Sequence, residues 1–467
     1  MHHPASLAQS LHQLRTAYQA QTYPDLATRR DRLQRLEHAL KRHAQPLISA
    51  LNTDFGQRAR HESLLADLLP LLSEIRFVQR RLKGWMRAQK RQVHWMHQPA
   101  TARVIYQPLG VVGVMVPWNY PVQLAISPLI SILAAGNRAF LKLSEWTPAT
   151  NQALITCLRE AFSADEVAIA LGEAEISAAF AALPFDHLMF TGSSAVGKKI
   201  QRAAAEHLVP VTLELGGKSP ALLDQDIPLP RALDPLLFGK TFNAGQTCIA
   251  PDYLLCPEAR LEEVLTYLKA RFTALYPQLL ENPHYTALIN SAQQQRLSQL
   301  AATSGAERIL ELNPAQEDFS HSQKLPLTLL VNPAVDSRVM TEEIFGPLLP
   351  ILTYTHWEEA LDQIRQRPRP LTLYYFGHDQ QHQRQLEYQV HSGSLAINAT
   401  LVQVAQPDLP FGGIGASGMG CYHGREGFMA FSHPRAVFQR RGWDVTRLLD
   451  SQYRRRWLPW LESWFLR

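Results

Sequence analysis

The chain has 467 residues, of which 46% are hydrophobic and 19% charged. Such a composition fills a large core over roughly two to four domains and argues against disorder. A net charge of +5 is too weak to mark a nucleic-acid binder, and four cysteines exclude a disulfide scaffold. Each cysteine is then core filler, metal ligand or nucleophile in a reducing compartment.

No long apolar leader precedes Tyr23. No stretch reaches the roughly 18 uninterrupted apolar residues of a membrane span. A soluble, cytoplasmic protein is the expectation. Leu26, Leu33, Leu36 and Leu40 recur at helical spacing between Arg29, Arg30, Arg32 and Arg35, with Asp25 as N-cap. A second leucine-rich helix is predicted from about Glu62 to Met86. Its basic end (Arg80, Arg81, Lys83, Arg87, Lys90, Arg91) reads as a solvated face rather than an anion or partner site.

From Val104 short apolar runs alternate with helical segments. Strands are predicted at Val111–Val116, Ala139–Leu143, Val167–Leu171, His187–Thr191 and Val211–Leu215. Helices or helix ends are predicted at Ala134–Gly136, Thr147–Phe162 and Ala195–His207. After Gly217 strands are predicted at Tyr253–Cys256, Leu327–Val331, Leu349–Tyr354, Leu371–Phe376 and Ser394–Asn398, and Asn313–Lys324 as a loop. This alternation implies βαβ units and parallel sheets in two α/β domains that meet near Leu215–Lys218. The tail joins Arg454, Arg455 and Arg456 to Trp457, Trp460, Trp464 and Phe465. Packing on the body or a sister subunit is preferred over contact with a membrane surface.

The cysteines divide unequally. Cys157 and Cys256 sit in apolar patterns and read as core, while Cys421 is undecided. Cys248 ends the polar stretch Phe242-Asn243-Ala244-Gly245-Gln246-Thr247, where a filler has little reason to be. A nucleophile is one reading, since a thiolate of lowered pKa attacks well. No surrounding Cys or His spacing suggests a metal, and none is expected. Glu214 lies in Val211-Thr212-Leu213-Glu214-Leu215-Gly216-Gly217-Lys218, an apolar strand end where a carboxylate is costly unless it has a task. It is either a general base or an acid held by amides or a lysine. Phe190-Thr191-Gly192-Ser193-Ser194-Ala195-Val196-Gly197 joins a strand to a helix and is either a plain turn or a phosphate site. Pro117-Trp118-Asn119-Tyr120-Pro121 puts a side-chain amide at the carboxyl edge of a sheet, where ligands of open α/β sheets bind. Lys142-Leu143-Ser144-Glu145 ends the next strand as either a ribose site or a surface ion pair.

Taken in order, these segments with Glu342–Pro347 and Pro410–Gly420 resemble the NAD(P)-dependent aldehyde dehydrogenase superfamily over nearly the whole chain. The 34-residue separation of Glu214 and Cys248 matches as well. Phe411–Gly420 with Tyr422-His423-Gly424, Asn52–Gly56 with Arg58 and His61, and Gly245–Tyr253 resemble the class 3 and bacterial coniferyl aldehyde dehydrogenase branch.

The resemblance implies a Rossmann-like cofactor domain, an α/β catalytic domain and a small β oligomerisation arm. Residues 1–215 would form the helical and cofactor-binding part, with bridging strands near 100–108; 216–405 would be catalytic, and 406–467 the oligomerisation segment and tail. Cys248 would attack an aromatic or medium-chain aldehyde, and Asn119 with the Cys248 N–H would hold the oxyanion. Hydride would leave to the nicotinamide, and Glu214 would activate the water that hydrolyses the thioester. Lys142 and Glu145 would contact the adenosine ribose, Gly192 and Ser193 the pyrophosphate, and Val196 the adenine side, with Ser144 and Gly197 also in the cofactor site. Glu343 and Phe345 would meet the nicotinamide ribose, with Leu215, Gly216, Val116, Pro117 and Trp118 bordering the ring. Tyr120, Asn243, Thr247, Ile249 and the Thr400–Pro410 loop would shape the substrate pocket. NAD is the expected cofactor, with NADP open, because Glu145 would face the ribose 2′-hydroxyl. The family's Lys-Pro-Ser-Glu reads Lys142-Leu143-Ser144-Glu145 here, which removes one backbone constraint. A homodimer is expected, through Arg103–Tyr106 and the segment after Gly420. Glu214 argues against an acylating enzyme that makes acyl-CoA, and the absence of a histidine in the motifs around Cys248 argues against a cofactor-free thiol esterase.

Overall fold

A computed structural model describes residues 4–442, 458–460, 462–464 and 466. The N-terminal segment is helical down to Trp85. Helix Leu26–Arg42 starts at Asp25, whose carboxylate accepts the Thr28 N–H at 2.8 Å. Its leucines, buried with Leu47, Leu51, Leu71 and Ile75, pack these helices against the first sheet. The predicted second helix forms as one helix with a π segment at Ser63–Leu68, continuing as Leu69–Trp85. Its six basic end residues are all exposed.

The first sheet has six strands. In spatial order they are Gly418–Met419, Val211–Leu215, His187–Gly192, Val111–Met115, Arg138–Lys142 and Val167–Ala170. All are parallel except Gly418–Met419, which runs antiparallel beside Glu214. The chain winds outward on one side of Val111–Met115 and then on the other. The strand order therefore reverses between Val111–Met115 and His187–Gly192, where a crevice opens at the strands' carboxyl ends. Leu143 also joins the ladder, its N–H donating to the Ala170 carbonyl at 3.2 Å. A proline there could not make this bond.

The second sheet has seven strands. They run Arg308–Glu311, Thr328–Val331, Leu348–Tyr354, Tyr253–Pro257, Pro220–Leu223, Thr372–Phe376 and Ser394–Ile397. Only the edge strand Arg308–Glu311 is antiparallel. Cys256 is buried in this sheet's core and Cys157 against the first sheet. Burial pushes both thiols up to about 12.

A third sheet, wholly antiparallel, joins Gln89–Arg91, Ala100–Pro108 and Ser432–Arg440. Ser432–Arg440 is mostly exposed. Trp95 meets Trp464 edge-on at 5.5 Å, and Trp464 stacks on Trp460 at 6.2 Å. Those tail tryptophans thus contact the body. Arg454, Arg455, Arg456, Trp457 and Phe465 lie outside the described residues. No described helix is long and apolar enough to cross a membrane.

Candidate active site

The crevice is a cavity of about 760 Å³. It collects Val116, Pro117, Trp118 and Asn119 from the end of one strand and Lys142, Ser144 and Glu145 from the next. Gly192, Ser193 and Val196 come from a third, and Glu214 and Gly216 from a fourth. The part of the chain that builds the second sheet contributes Cys248, Glu343 and Phe345. Side chains distant in sequence therefore face one space.

The cysteine loop carries an unusual backbone. Asn243, Ala244 and Gly245 follow one another with φ of 52°, 53° and 72°. Left-handed backbone costs on the order of 1 kcal/mol for a residue such as Ala, so the surroundings must enforce it. At Gly245 a β-carbon would meet the Gly346 carbonyl oxygen at 2.6 Å, so only glycine fits. The loop ends with the Cys248 sulfur at the cleft and the backbone N–H groups of Cys248 and Ile249 directed at it. The thiol is not activated in this state. Burial, with Glu343 and Glu214 nearby, pushes it up to about 12, the reverse of the lowered pKa expected of a ready thiolate.

Asn119 is buried, and its side-chain amide donates to the Gln246 carbonyl at 3.2 Å. Asn119 also lines the cleft. Glu214 is 3% exposed, and neither carboxylate oxygen has a protein partner. Desolvation raises its pKa well above the ordinary value. The glycine-rich Phe411–Gly420 segment explains its place here. At Gly418, paired opposite Glu214, a β-carbon would lie 2.1 Å from the Leu213 carbonyl oxygen.

The cradle for a dinucleotide is visible in the protein alone. The twelve-residue helix Ser194–Ala205 aims its N-terminus at the cleft, and Ser193 caps it by accepting the Val196 N–H at 3.4 Å. Lys142 and Glu145 form an ion pair at 3.1 Å on the cleft wall. Glu343 is half-buried and takes the Gly217 N–H, while its buried Oε1 has no partner. Such an orphaned carboxylate oxygen suits ribose hydroxyls. Burial pushes Glu343 up to about 8. Trp118 meets Phe345 edge-on at 5.4 Å and Trp146 at 5.7 Å, forming an aromatic wall. These donors and this shape fit NAD(P).

Some predicted residues sit elsewhere. Gly197 and Leu215 do not line the cavity; a β-carbon on Gly197 would strike Leu215 at 2.7 Å, so the pair packs helix on strand. Tyr120, Asn243, Thr247 and Ile249 are also away from the cavity surface and buried behind it. The Tyr120 and Thr247 hydroxyls share a 2.6 Å hydrogen bond, and Asn243 donates to the Asn119 carbonyl at 3.2 Å. They support the cysteine loop from behind. Sequence reasoning passed over Trp146, Gln293 and Arg296, which line the cleft, and the helix face Ala174, Ser177, Ala178 and Ala181. That stripe of small residues at helical spacing was the available signal for a flat slot. Among the described residues no group of three His, Cys, Asp or Glu could hold a metal.

Comparison with known proteins agrees with this geometry. The aldehyde dehydrogenase family model matches residues 5–437, so the chain belongs to the aldehyde dehydrogenase family. It oxidises an aldehyde to the carboxylic acid in an NAD(P)-dependent reaction. It is 48% identical to a probable coniferyl aldehyde dehydrogenase of Pseudomonas aeruginosa, over 94% of this chain and 92% of that one. A coniferyl aldehyde dehydrogenase of a Pseudomonas species is 42% identical, over 92% and 90% of the two chains. Among solved structures, the substrate-bound state of Staphylococcus aureus AldH superposes with a TM-score of 0.90 at 35% identity, covering 98% and 99%.

Proposed function

We propose that the enzyme oxidises an aromatic aldehyde of the coniferyl aldehyde type, with Cys248, Glu214 and Asn119 as its catalytic residues and NAD as its preferred cofactor. The observation that carries the site assignment is the convergence of those three side chains on one cleft. The names of the Pseudomonas relatives support the substrate class.

The Cys248 sulfur attacks the carbonyl carbon as the thiol proton passes by way of ionised Glu214 to solvent. The resulting alkoxide is held by the Asn119 side-chain amide and the Cys248 backbone N–H. A preorganised donor of this kind is worth roughly 3–4 kcal/mol of barrier. Bound NAD(P) supplies the hydride acceptor. Glu214 then takes a proton from the water that attacks the thioester, and the acid leaves as the thiol is restored. Desolvation raises the pKa of Glu214, which makes it the stronger base once ionised. Glu343 and the Lys142–Glu145 pair would hold the two riboses, Glu145 disfavouring a 2′-phosphate. We place the enzyme in the cytoplasm as a homodimer, supported by the exposed Ser432–Arg440 strand of the third sheet.

The test is a panel of aromatic and aliphatic aldehydes, followed by NADH absorbance with product analysis with and without coenzyme A. Coniferyl aldehyde should rank first in kcat/KM and yield free acid in both conditions. Preference for short aliphatic aldehydes would overturn the substrate assignment, and acyl-CoA as product the hydrolytic one.

A further inference from the structure

Arg58 lies between helices Ala44–Asp54 and Arg60–Glu62, far in sequence from both Asn119 and Cys248. Its side chain is wholly buried, as is that of its ion-pair partner Asp67. Arg58 Nη2 donates to Asp67 Oδ2 at 2.8 Å, and Nη1 donates to the Asn119 carbonyl at 3.0 Å. The guanidinium also stacks between two rings, 4.6 Å from Phe55 and 5.0 Å from Tyr120. Asp67 Oδ1 in turn accepts the Gln123 N–H at 3.1 Å, in the first turn of helix Pro121–Ala135. The pair thus holds the chain at the Asn119 carbonyl and again at Gln123, in the helix that follows. On the same carbonyl, Asn243 of the cysteine loop donates at 3.2 Å.

Stability alone does not account for this arrangement. A buried ion pair commonly adds no more than well-packed apolar side chains would. What the pair supplies is direction. A planar guanidinium with two fixed bonds sets the peptide plane of residue 119, and that plane sets where the Asn119 amide points. We infer that Arg58, oriented by Asp67, is a positioning residue for the oxyanion donor Asn119. This rests on the proposed role of Asn119.

Arg58→Met alone would strand a buried carboxylate, so the test uses Arg58→Met/Asp67→Asn, with folding checked by thermal melt and near-ultraviolet circular dichroism. A displacement of about 1 Å at a reacting group can cost on the order of 100-fold in rate. The paired variant should lose about that factor in the pre-steady-state burst of NADH while its KM for nucleotide stays unchanged. Arg58→Lys, which keeps the charge but not both bonds, should lose about tenfold. In an Asn119→Ala background, itself expected to lose roughly 100- to 1,000-fold, the paired change should add less than about twofold. A wild-type burst in the folded paired variant, or a full further loss on top of Asn119→Ala, would overturn the positioning role. A wild-type burst in Asn119→Ala would instead overturn the oxyanion reading beneath it.

Discussion

The Glu343 carboxylate fills the space that a β-carbon on Gly216 would need, its Oε2 lying 2.0 Å from that position. One glycine therefore fixes where a carboxylate distant in sequence enters the cleft. Gly216→Ala should displace Glu343 and raise the KM for nucleotide about tenfold or more, with a smaller change in the KM for aldehyde. Steady-state titrations of both substrates check this. A nucleotide KM at the wild-type value would show that Glu343 does not hold the cofactor.

The state of the Cys248 thiol gives a pH dependence. With its pKa pushed up to about 12, little thiolate exists at neutral pH in the nucleotide-free enzyme. Inactivation by iodoacetamide should then speed up about tenfold per pH unit between pH 7 and 9, without levelling off. A plateau near neutrality would mean that the thiol is already ionised. Cys421 is only half-buried, so Cys248→Ala, inactive in turnover, is the control for alkylation elsewhere.

Glu214→Gln separates the two halves of the reaction. The amide cannot take a proton from water, so turnover should fall on the order of 100- to 10,000-fold. Thioester formation needs the thiol and the oxyanion donors, so one equivalent of NADH should still appear. Intact-protein mass spectrometry should find the acyl group on Cys248. Normal turnover in this variant would remove Glu214 from the mechanism.

Strongly apolar strands such as Val111–Met115 and Val211–Leu215 were legible because both faces are buried and the run is uninterrupted. Pro220–Leu223 was not, since it opens on a proline that only a strand's first position tolerates in mid-sheet. Ser432–Arg440 was hidden for the opposite reason: its exposed residues carry no alternating apolar face. The motifs led to Cys248, Glu214 and Asn119 because each places a reactive or polar group where packing does not call for one. The support behind them was harder to read. Arg58, Asp67 and Asn119 become neighbours only through tertiary contact, and no spacing announces it. Tyr120 and Ile249 adjoin the motifs, and both side chains are buried beside the residues that line the cavity.

The Lys142–Glu145 pair bears on cofactor choice. At 3.1 Å the lysine partly neutralises the glutamate, and Lys199 lines the same cleft. Removing the Glu145 charge leaves two cations to meet a 2′-phosphate. Glu145→Gln should raise kcat/KM for NADP relative to NAD by about tenfold, mostly through KM. An unchanged ratio would place the 2′-hydroxyl elsewhere.

Glu74 offers a prediction about stability rather than turnover. It sits in helix Leu69–Trp85, 4% exposed, accepting the Ser127 hydroxyl at 2.7 Å through Oε2, while Oε1 has no partner. Burial pushes it up to about 8 from 4.5. Below about pH 4.5 the folded and unfolded chains both hold this proton, and the site contributes no pH dependence. Between about 4.5 and about 8 the unfolded chain ionises and the folded one does not, so stability falls as pH rises. Above about 8 the penalty is constant. Glutamine keeps the bond from Ser127 and does not titrate. Relative to wild type, Glu74→Gln should therefore gain on the order of 3 kcal/mol between pH 5 and pH 8, seen as a difference in melting temperature that widens with pH. A difference independent of pH would mean that Glu74 is ionised in the fold, and that a partner beyond Ser127 stabilises its charge.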